Sequence, residues 1–178
     1  YKCLSIKTNA MYNISNAKKV ISALIAAGAS PTILPFLICQ VAHETGDFDS
    51  RVFRQNNNAS GIMFINKPLK QKNAKKGLAY PTREGRYWYA HFATLKDWAI
   101  DYLRVIGRTP QSAKNLTDYA NKLRARGYYT DPADKYAKAL EFHRKQLIKY
   151  GLLSKPQTGG SAGIIAIIAV IAVGLLFI

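Results

Sequence analysis

The apolar positions of this chain recur mostly at spacings of three and four residues, which is the repeat of one face of an α-helix. Five helices are predicted from this repeat and from capping residues, with limits at about 15–28, 30–46, 94–106, 117–125 and 131–151. Ser15 is the expected N-cap of the first helix, and Thr94, with Asp97, that of the third. Ser30 is expected to cap the second, with Pro31 at its first position. The pattern therefore predicts a mainly helical protein.

Residues 78–92 follow a different pattern, in which aromatic residues alternate with polar or small ones around a turn from Pro81 to Gly85. Alternation of this kind is typical of a short β-hairpin. The lysine-rich stretch before it, 67–76, is expected to be a solvated loop. Two roles are possible for the aromatic residues of the hairpin: one face lines a groove and stacks on the rings of a ligand such as a sugar, or the residues pack the hairpin on a helix. They are Tyr80, Tyr87, Trp88, Tyr89 and Phe92.

One glutamate, Glu44, lies at the end of the second predicted helix, on the same apolar stripe as Leu37 and Val41. Burial on that stripe would raise its pKa and keep it protonated, as a general acid for a leaving glycosidic oxygen requires. The alternative is a glutamate that merely extends from the helix end into solvent. A loop rich in amides and glycine follows at 55–62, and such a loop suits a site that binds sugar.

Four short motifs occur in order along the chain: Ala42-His-Glu-Thr-Gly, Asn57-Asn-Ala-Ser-Gly-Ile, Pro81-Thr-Arg-Glu-Gly and Gly127-Tyr-Tyr-Thr-Asp-Pro. Together they resemble the glucosaminidase domain of glycoside hydrolase family 73, which includes the flagellar-rod peptidoglycan hydrolase and many autolysins. The resemblance spans roughly residues 12–150. It implies a lysozyme-like α+β fold, mainly helical with a small β-hairpin lobe. It also implies an endo-N-acetylglucosaminidase that cleaves β-1,4 bonds of peptidoglycan.

The same resemblance assigns roles to individual residues. Glu44 would be the catalytic acid and Glu84, in the hairpin motif, a second carboxylate. The residues expected to contact sugar are Asn57, Asn58, Gly61 and Tyr128. The loop departs from the usual Asn-Asn-Leu-Phe-Gly-Ile-Lys, because Ser60 replaces the aromatic and Met63 replaces the lysine. Sugar stacking in this loop is therefore expected to be weaker or to come from elsewhere, with Phe64 as a candidate.

Several mechanisms fit these residues. In a hydrolase, one carboxylate protonates the leaving oxygen and the other activates water or stabilises the oxocarbenium-like transition state. A lytic transglycosylase needs only one glutamate and yields an anhydro product, and Glu84 would then be a solvated turn residue. The domain would alternatively be a catalytically inactive structural protein of a virion membrane or vertex.

The chain carries a strong positive charge, with 26 Lys and Arg against 10 Asp and Glu, for a net charge of +16. Such a charge favours a polyanionic partner, namely a bacterial wall polymer, an anionic membrane surface or nucleic acid. The sequence has no recognition helix, zinc motif or RNA-binding signature, so a specific nucleic-acid partner is not expected, and genome organisation by charge alone is the weakest alternative.

No Cys or His cluster has the spacing of metal ligands, so neither a metal nor another cofactor is expected. His143 is expected to be a core histidine and His43 a packing residue beside the acid. Whether Cys3 and Cys39 pair is left open by the sequence.

The C-terminal part of the sequence predicts a membrane anchor. After a Gly/Ser linker at 154–161, residues 162–178 carry no polar side chain. This length is near the lower limit for crossing a hydrocarbon core of about 30 Å. The predicted organisation is an N-terminal segment at 1–11, a catalytic domain at 12–153, the linker, and one transmembrane helix at 162–178.

The predicted anchor raises a question of location. Residues 1–5 lack the apolar core of a signal peptide. A tail-anchored protein without a signal keeps its basic domain on the cytoplasmic side, where a wall hydrolase would not meet its substrate. We therefore expect a phage enzyme in the internal membrane of the virion, next to capsid or membrane proteins, that acts at entry or lysis. The host inner membrane is the alternative location.

Overall fold

In a computed structural model, the chain is described at residues 12–67, 71, 73–80 and 87–154. Seven helices and two strands occur there: α1 (Ile14–Ala26), α2 (Leu34–Thr45), α3 (Arg51–Asn56), β1 (Ala74–Ala79), β2 (Trp88–Phe92), α4 (Leu95–Ile106), α5 (Thr109–Ser112), α6 (Leu116–Ala125) and α7 (Ala133–Lys149). No helix in these ranges is long and apolar enough to cross a membrane. The predicted anchor, the predicted N-terminal segment, most of the linker and the hairpin turn lie outside the described residues.

All five predicted helices are confirmed, as α1, α2, α4, α6 and α7. The two short helices, α3 and α5, were not predicted, because six and four residues are too few to show an apolar repeat. The capping box of Thr94 with Asp97 at the start of α4 is also confirmed. The N-cap of α1 is different from the prediction. Asn13, not Ser15, accepts a hydrogen bond from the Asn16 backbone N–H at 3.1 Å.

The start of α2 was predicted wrongly. The Ser30 hydroxyl hydrogen-bonds to the Thr32 hydroxyl at 2.8 Å and does not cap a helix. Pro31 lies in the turn before the helix, which begins at Leu34. Pro35 is the second residue of the helix, in the first turn, where a missing N–H leaves no hydrogen bond unmade. The two prolines therefore shift the start of the helix by one turn without disturbing its end.

The two strands form an antiparallel sheet, with Ala74 opposite Phe92 and Ala79 opposite Trp88. The predicted hairpin pairing is confirmed, but the first strand begins at Ala74, inside the stretch predicted to be a solvated loop. Its lysines face solvent, and an irregularity between Lys76 and Ala79 breaks the alternation. The Lys76 ammonium lies 3.2 Å from the centroid of the Trp88 ring, so cation–π attraction joins the two strands as well.

A third segment, 62–64, pairs with β2. The Phe64 N–H donates to the Trp88 carbonyl and the Ala90 N–H donates to the Ile62 carbonyl, each at 2.8 Å. Met63 forms an isolated antiparallel bridge with Tyr89. Strand β2 is thus hydrogen-bonded to β1 and to the loop that follows α3. The loop expected to bind sugar is therefore fixed to the sheet.

The hydrophobic core surrounds α2. Every residue of this helix is buried except Phe36, His43 and Glu44. It packs against α1 and α7, and α7 packs in turn against α6. The largest fully buried side chains come from several elements and include Trp98, Tyr102, Tyr119, Phe48 and Phe92. A helix buried on nearly all sides places its last turn firmly, and that turn carries Glu44.

Gly77 allows β1 to approach α3 closely. A Cβ atom at this position would lie 2.4 Å from Asn56 Nδ2 and 2.8 Å from the Tyr89 carbonyl oxygen. Replacing Gly77 by alanine is therefore expected to lower the free energy of unfolding by about 1–3 kcal/mol, as overpacking does. Chemical denaturation followed by circular dichroism measures this loss. Lys75→Ala, at an exposed position of the same strand, is the control, and an unchanged midpoint for Gly77→Ala would contradict the close approach.

Candidate active site

Glu44 lies in the last turn of α2, immediately before a sharp reversal of the chain. The helix ends at Thr45, and Gly46 follows in the left-handed region with φ 55°. Asp47 and Phe48 also have positive φ, at 64° and 67°, which is costly for residues with a side chain. Such a reversal persists only where surrounding contacts hold it.

Hydrogen bonds hold this reversal on both sides. The Thr45 hydroxyl donates to a carbonyl one turn earlier at 2.6 Å and accepts from the Phe48 N–H at 3.0 Å. From α1, the Asn13 N–H donates to the Asp47 carbonyl at 3.1 Å and the Asn16 side chain donates to the Phe48 carbonyl at 2.9 Å. The backbone that follows Glu44 is therefore fixed by the start of α1.

The Glu44 side chain is exposed, and the prediction that it lies on the core-facing stripe is wrong. Its carboxyl oxygen Oε1 accepts a hydrogen bond from the Tyr136 hydroxyl at 2.8 Å. Desolvation by the surrounding protein raises the Glu44 pKa, and the hydrogen bond from Tyr136 opposes part of that rise. The predicted direction of the pKa shift is confirmed. The carboxyl group is thus reached by water and partly desolvated by protein at the same time, as suits a group that donates a proton to a bound molecule.

Tyr136 is held in place by its neighbours. Its ring stacks on that of Tyr129, with centroids 4.0 Å apart, and meets the His43 ring edge-on at 5.1 Å. The Tyr129 hydroxyl donates in turn to the Ala120 carbonyl of α6 at 2.7 Å. The hydroxyl that orients Glu44 is thus positioned by α7, by α6 and by the loop between them. No role at the site was predicted for Tyr136 from the sequence.

A buried glutamine lies one turn before Glu44 on the same helix. The Oε1 atom of Gln40 accepts hydrogen bonds from the Tyr102 hydroxyl at 2.8 Å and from the Tyr119 hydroxyl. Its Nε2 atom makes no well-formed hydrogen bond to a described residue, although its side chain interacts with the Tyr128 hydroxyl. Gln40 therefore joins α2 to α4 and α6 directly beneath the acid. A polar residue within an apolar helix was the sequence signal for it, and sequence reasoning missed it.

Tyr128, one of the predicted sugar contacts, lies near Glu44. Burial raises its pKa well above the usual range, and the negative charge of Glu44 is the next cause. Tyr102 and Tyr136 show the same direction, also because of burial first. All three remain protonated at neutral pH, and Tyr102 and Tyr136 donate hydrogen bonds to Gln40 and Glu44. The structure thus brings Tyr128 and Glu44 together, as the resemblance implied, and whether Tyr128 touches sugar stays a prediction.

Asn58 has a different role from the one predicted. It is fully buried, and its Nδ2 donates to the carbonyls of Ile62 at 2.8 Å and Ala90 at 2.9 Å. Its Oδ1 accepts from the Ile62 N–H at 3.0 Å. Both amide protons are used in this way. Asn58 therefore positions the loop against β2, and its side chain is not placed to contact a sugar.

Asn57 is half-buried at the C-terminus of α3, with a left-handed φ of 47°. Its Nδ2 donates to the carbonyls of Phe92 at 3.0 Å and Ala93 at 3.2 Å. These bonds also hold the loop against the end of β2. The side-chain protons of Asn57 are thus directed to the protein, and its predicted sugar contact has no support in this geometry.

The rest of the loop packs on α4. Ser60 is buried, and its hydroxyl accepts a hydrogen bond from the Trp98 indole N–H at 2.9 Å. Gly61, another predicted sugar contact, is half-buried with φ 66°, a conformation that favours glycine. Phe64 is half-buried against the core. The serine at position 60 is therefore explained by packing, because the indole of α4 needs an acceptor there.

The hairpin aromatics divide between the two predicted roles. Phe92 is fully buried and Tyr87 is 56% exposed, while Tyr80, Trp88 and Tyr89 are intermediate. The buried residue packs the hairpin on the core, and the exposed one is free to meet a substrate ring. Glu84, the predicted second carboxylate, lies outside the described residues, and its role stays a prediction.

Of the two histidines near the site, His143 is a core residue, as predicted, whereas His43 is exposed and its ring contacts those of Tyr136 and His143. His143 is buried, and its Nδ1 lies 3.4 Å from both the Tyr12 hydroxyl and an Asp47 carboxylate oxygen. Desolvation by the surrounding protein, and then the nearby His143, lower the pKa of His43 to about 4, so His43 is neutral at pH 7. Among the described residues, no group of His, Cys, Asp and Glu is arranged to hold a metal ion.

A comparison with known protein families identifies the family of this chain. The sequence profile of the glucosaminidase family, described as mannosyl-glycoprotein endo-β-N-acetylglucosaminidase, matches residues 17–148. The chain belongs to the glucosaminidase family. It is therefore a glycosidase, and the match lies within the predicted catalytic domain. Among curated proteins, none matches the sequence.

Two solved structures share the fold of this glucosaminidase. A type VI secretion system effector–immunity complex from Pseudomonas protegens contains a chain with TM-score 0.55 and 17% identity, with 77% of this chain and 96% of that chain covered. A peptidoglycan hydrolase from Sphingomonas sp. A1 gives TM-score 0.50 and 24% identity, with coverage of 83% and 94%. The mainly helical, lysozyme-like fold with a small antiparallel sheet is thus confirmed.

Removing the Tyr136 hydroxyl tests how it affects the pKa of Glu44. The hydrogen bond lowers the Glu44 pKa by stabilising the ionised form, so Tyr136→Phe is expected to raise that pKa further. A general acid is active while protonated, and the alkaline limb of kcat/KM should therefore move to higher pH. Tyr129→Phe is the control, because that hydroxyl binds a backbone carbonyl. An unmoved alkaline limb in Tyr136→Phe would contradict the assignment.

Asn58→Ala separates a positioning role from a sugar contact. The change removes the hydrogen bonds of Asn58 to Ile62 and Ala90 and leaves the Ile62 N–H without its acceptor, which is expected to cost about 2–4 kcal/mol of stability. Thermal and chemical denaturation measure this cost. Asn121→Ala, at an exposed position of α6, should lie within about 0.5 kcal/mol of the wild type. A stable Asn58→Ala variant with raised KM would instead support the sugar contact.

Proposed function

We propose that this glucosaminidase hydrolyses the β-1,4 glycosidic bonds of peptidoglycan as an endo-N-acetylglucosaminidase, with Glu44 as its general acid. The observation that carries this is the Glu44 carboxyl, which is open to solvent, hydrogen-bonded by Tyr136 and raised in pKa by desolvation. These are the properties of an acid that gives its proton to a leaving oxygen near neutral pH.

The choice of substrate has separate support. The family description names mannosyl glycoproteins, whereas one structural neighbour is a peptidoglycan hydrolase. The net charge of +16 favours a polyanionic surface such as the bacterial wall over a neutral glycan. Peptidoglycan strands are therefore the substrate that fits both the fold and the charge.

The mechanism follows from the contacts of Glu44. The protonated carboxyl donates to the glycosidic oxygen as the bond to the sugar breaks and positive charge develops on the ring. The Tyr136 hydroxyl, 2.8 Å from Oε1, then stabilises the carboxylate that remains. In the hydrolytic mechanism Glu84 activates the attacking water. Bound sugar excludes water from Glu44 and strengthens its interactions with the glycosidic oxygen and with the Tyr136 hydroxyl.

A lytic transglycosylase is the second candidate. The Glu44 pKa is perturbed by burial and by Tyr136, and not by any carboxylate of a described residue. An enzyme with a single carboxylate would let the 6-hydroxyl of the sugar attack and would release an anhydro product. Its substrate would be the same glycan strand.

We further propose that residues 162–178 anchor this enzyme in a membrane. The support is the sequence itself, which has no polar side chain there and is preceded by a Gly/Ser linker. The internal membrane of a phage particle, with capsid or membrane proteins nearby, is the location in which such an enzyme meets the wall at entry. Localisation of the tagged chain in purified virions and in uninfected host membranes tests this.

The activity is tested by digesting purified peptidoglycan with the full chain and analysing the fragments by mass spectrometry. Glu44→Gln should reduce release by about 10²–10⁴-fold, the usual contribution of general acid catalysis. Glu141→Gln is the matched control, since that carboxylate pairs with Arg144 on α7. Glu84→Gln should also reduce hydrolysis if Glu84 activates water.

The products distinguish the candidates. Fragments with N-acetylglucosamine at the reducing end would establish the hydrolase, and anhydro-muramyl ends would establish the transglycosylase. A mannosyl glycoprotein is digested in parallel. Its cleavage in place of peptidoglycan, or no release from either substrate by a folded wild type, would overturn the proposal.

A further inference from the structure

The outer face of α7 carries a stripe of lysines around one large apolar side chain. The exposed positions of this helix lie within about 100° of its circumference. They are Asp134, Lys135, Lys138, Phe142, Lys145 and Lys149, and we call this set the outer face of α7. Of these six residues four are basic and one is acidic, so the face has a formal charge of +3.

The charges of this face are poorly neutralised by the domain itself. Lys135 and Lys138 lie 3.8 Å and 3.7 Å from Asp131 and Asp134, and all four side chains are more than half exposed. Contacts of this length between exposed groups contribute little. Lys145 and Lys149 form no ion pair with a described residue, and Lys149 lies only over the Tyr150 ring at 5.7 Å. The C-terminal half of the face is thus unpaired positive charge.

Phe142 lies in the middle of these lysines and is 54% exposed. It follows Lys138 by four residues and precedes Lys145 by three, so the three side chains are neighbours on the helix surface. One part of the Phe142 ring meets the buried His143 ring edge-on, with centroids 5.4 Å apart, and the rest is left in contact with solvent. Lysines around an apolar ring are typical of a helix that lies at the boundary between lipid headgroups and acyl chains.

The position of the face in the molecule also favours a membrane. Lys138 lies two residues after Tyr136, about 200° round the helix, so the outer face is turned away from the Glu44 carboxyl. Leu152 and Leu153 are buried at the end of the domain, so residues 154–161 separate it from the apolar stretch 162–178 and can span at most about 28 Å. The helix itself is about 25 Å long. If the apolar stretch enters a bilayer, the outer face is within reach of the same lipid surface.

We propose that the outer face of α7 is a docking surface for anionic phospholipid. Lys138, Lys145 and Lys149 bind lipid phosphates, and Phe142 inserts among the first acyl groups. This contact lays the domain on the bilayer with the Glu44 site directed away from the lipid. The apolar stretch then supplies attachment, and the outer face supplies orientation. The proposal does not depend on the reaction that Glu44 catalyses.

The test uses the full chain in vesicles of phosphatidylcholine alone or with phosphatidylglycerol, each containing brominated lipid that quenches tryptophan. Phe142→Trp reports on the outer face, after subtraction of the signal of the parent chain with Trp88 and Trp98. The introduced indole should be quenched several-fold more in the phosphatidylglycerol vesicles. Ile100→Trp, at an apolar position on α4 that is 47% exposed, should show no such difference.

Charge reversal identifies the lysines. Lys145→Glu with Lys149→Glu, in the Phe142→Trp chain, should reduce quenching to the level in phosphatidylcholine, as should 1 M salt. Lys18→Glu with Lys19→Glu makes the same charge change at exposed positions of α1 and should leave quenching unchanged. Circular dichroism confirms that each variant is folded.

Three results would overturn the proposal. Equal quenching at position 142 in the two vesicle types would show that anionic lipid is not recognised. Equal quenching at positions 100 and 142 would show that no particular face meets the membrane. A change in the introduced fluorescence on addition of duplex DNA, with no quenching by anionic vesicles, would assign the outer face to nucleic acid.

Discussion

The active site depends on the buried hydrogen bonds of Gln40. This side chain lies one turn before Glu44, and its single acceptor oxygen receives the hydroxyls of Tyr102 from α4 and Tyr119 from α6. Burying the Gln40 oxygen without partners would be destabilising, so these two hydroxyls favour one arrangement of the three helices. The end of α2 is then fixed from below by Gln40 and from α7 by Tyr136.

Two opposing effects act on the pKa of the Glu44 carboxyl group. Desolvation favours the protonated form of Glu44, and the Tyr136 hydroxyl favours the ionised form. His43, the neighbouring residue, is neutral at pH 7 because its pKa is lowered to about 4. No positive charge from that side chain therefore stabilises the carboxylate. Desolvation thus keeps a proton on Glu44, and the Tyr136 hydroxyl makes the loss of that proton easier.

The apolar repeat was sufficient to predict five helices, because each buries one face against the core. It missed the start of β1, whose lysines face solvent and whose pairing is irregular after Lys76. A family motif predicted Glu44 at the site, but a sequence does not show which hydrogen-bond partners its polar side chains have in the fold. For this reason the sequence suggested that Asn58 contacts sugar, whereas in the structure its side chain donates a hydrogen bond to the Ala90 carbonyl. Tyr136 lies 92 residues from Glu44, a separation that no local pattern spans.

The hydrogen bond from Trp98 to Ser60 has a consequence for how such loops evolve. The family loop usually carries an aromatic at this place, and here a ring would collide with the buried indole and remove its acceptor. Replacing Ser60 alone by an aromatic leaves a clash and an unpaired indole N–H, and replacing Trp98 alone by a smaller residue leaves a cavity, whereas changing both together avoids these defects. The two positions are thus epistatic, and a lineage that moves between the two loop types must pass through a destabilised intermediate or change both residues at once.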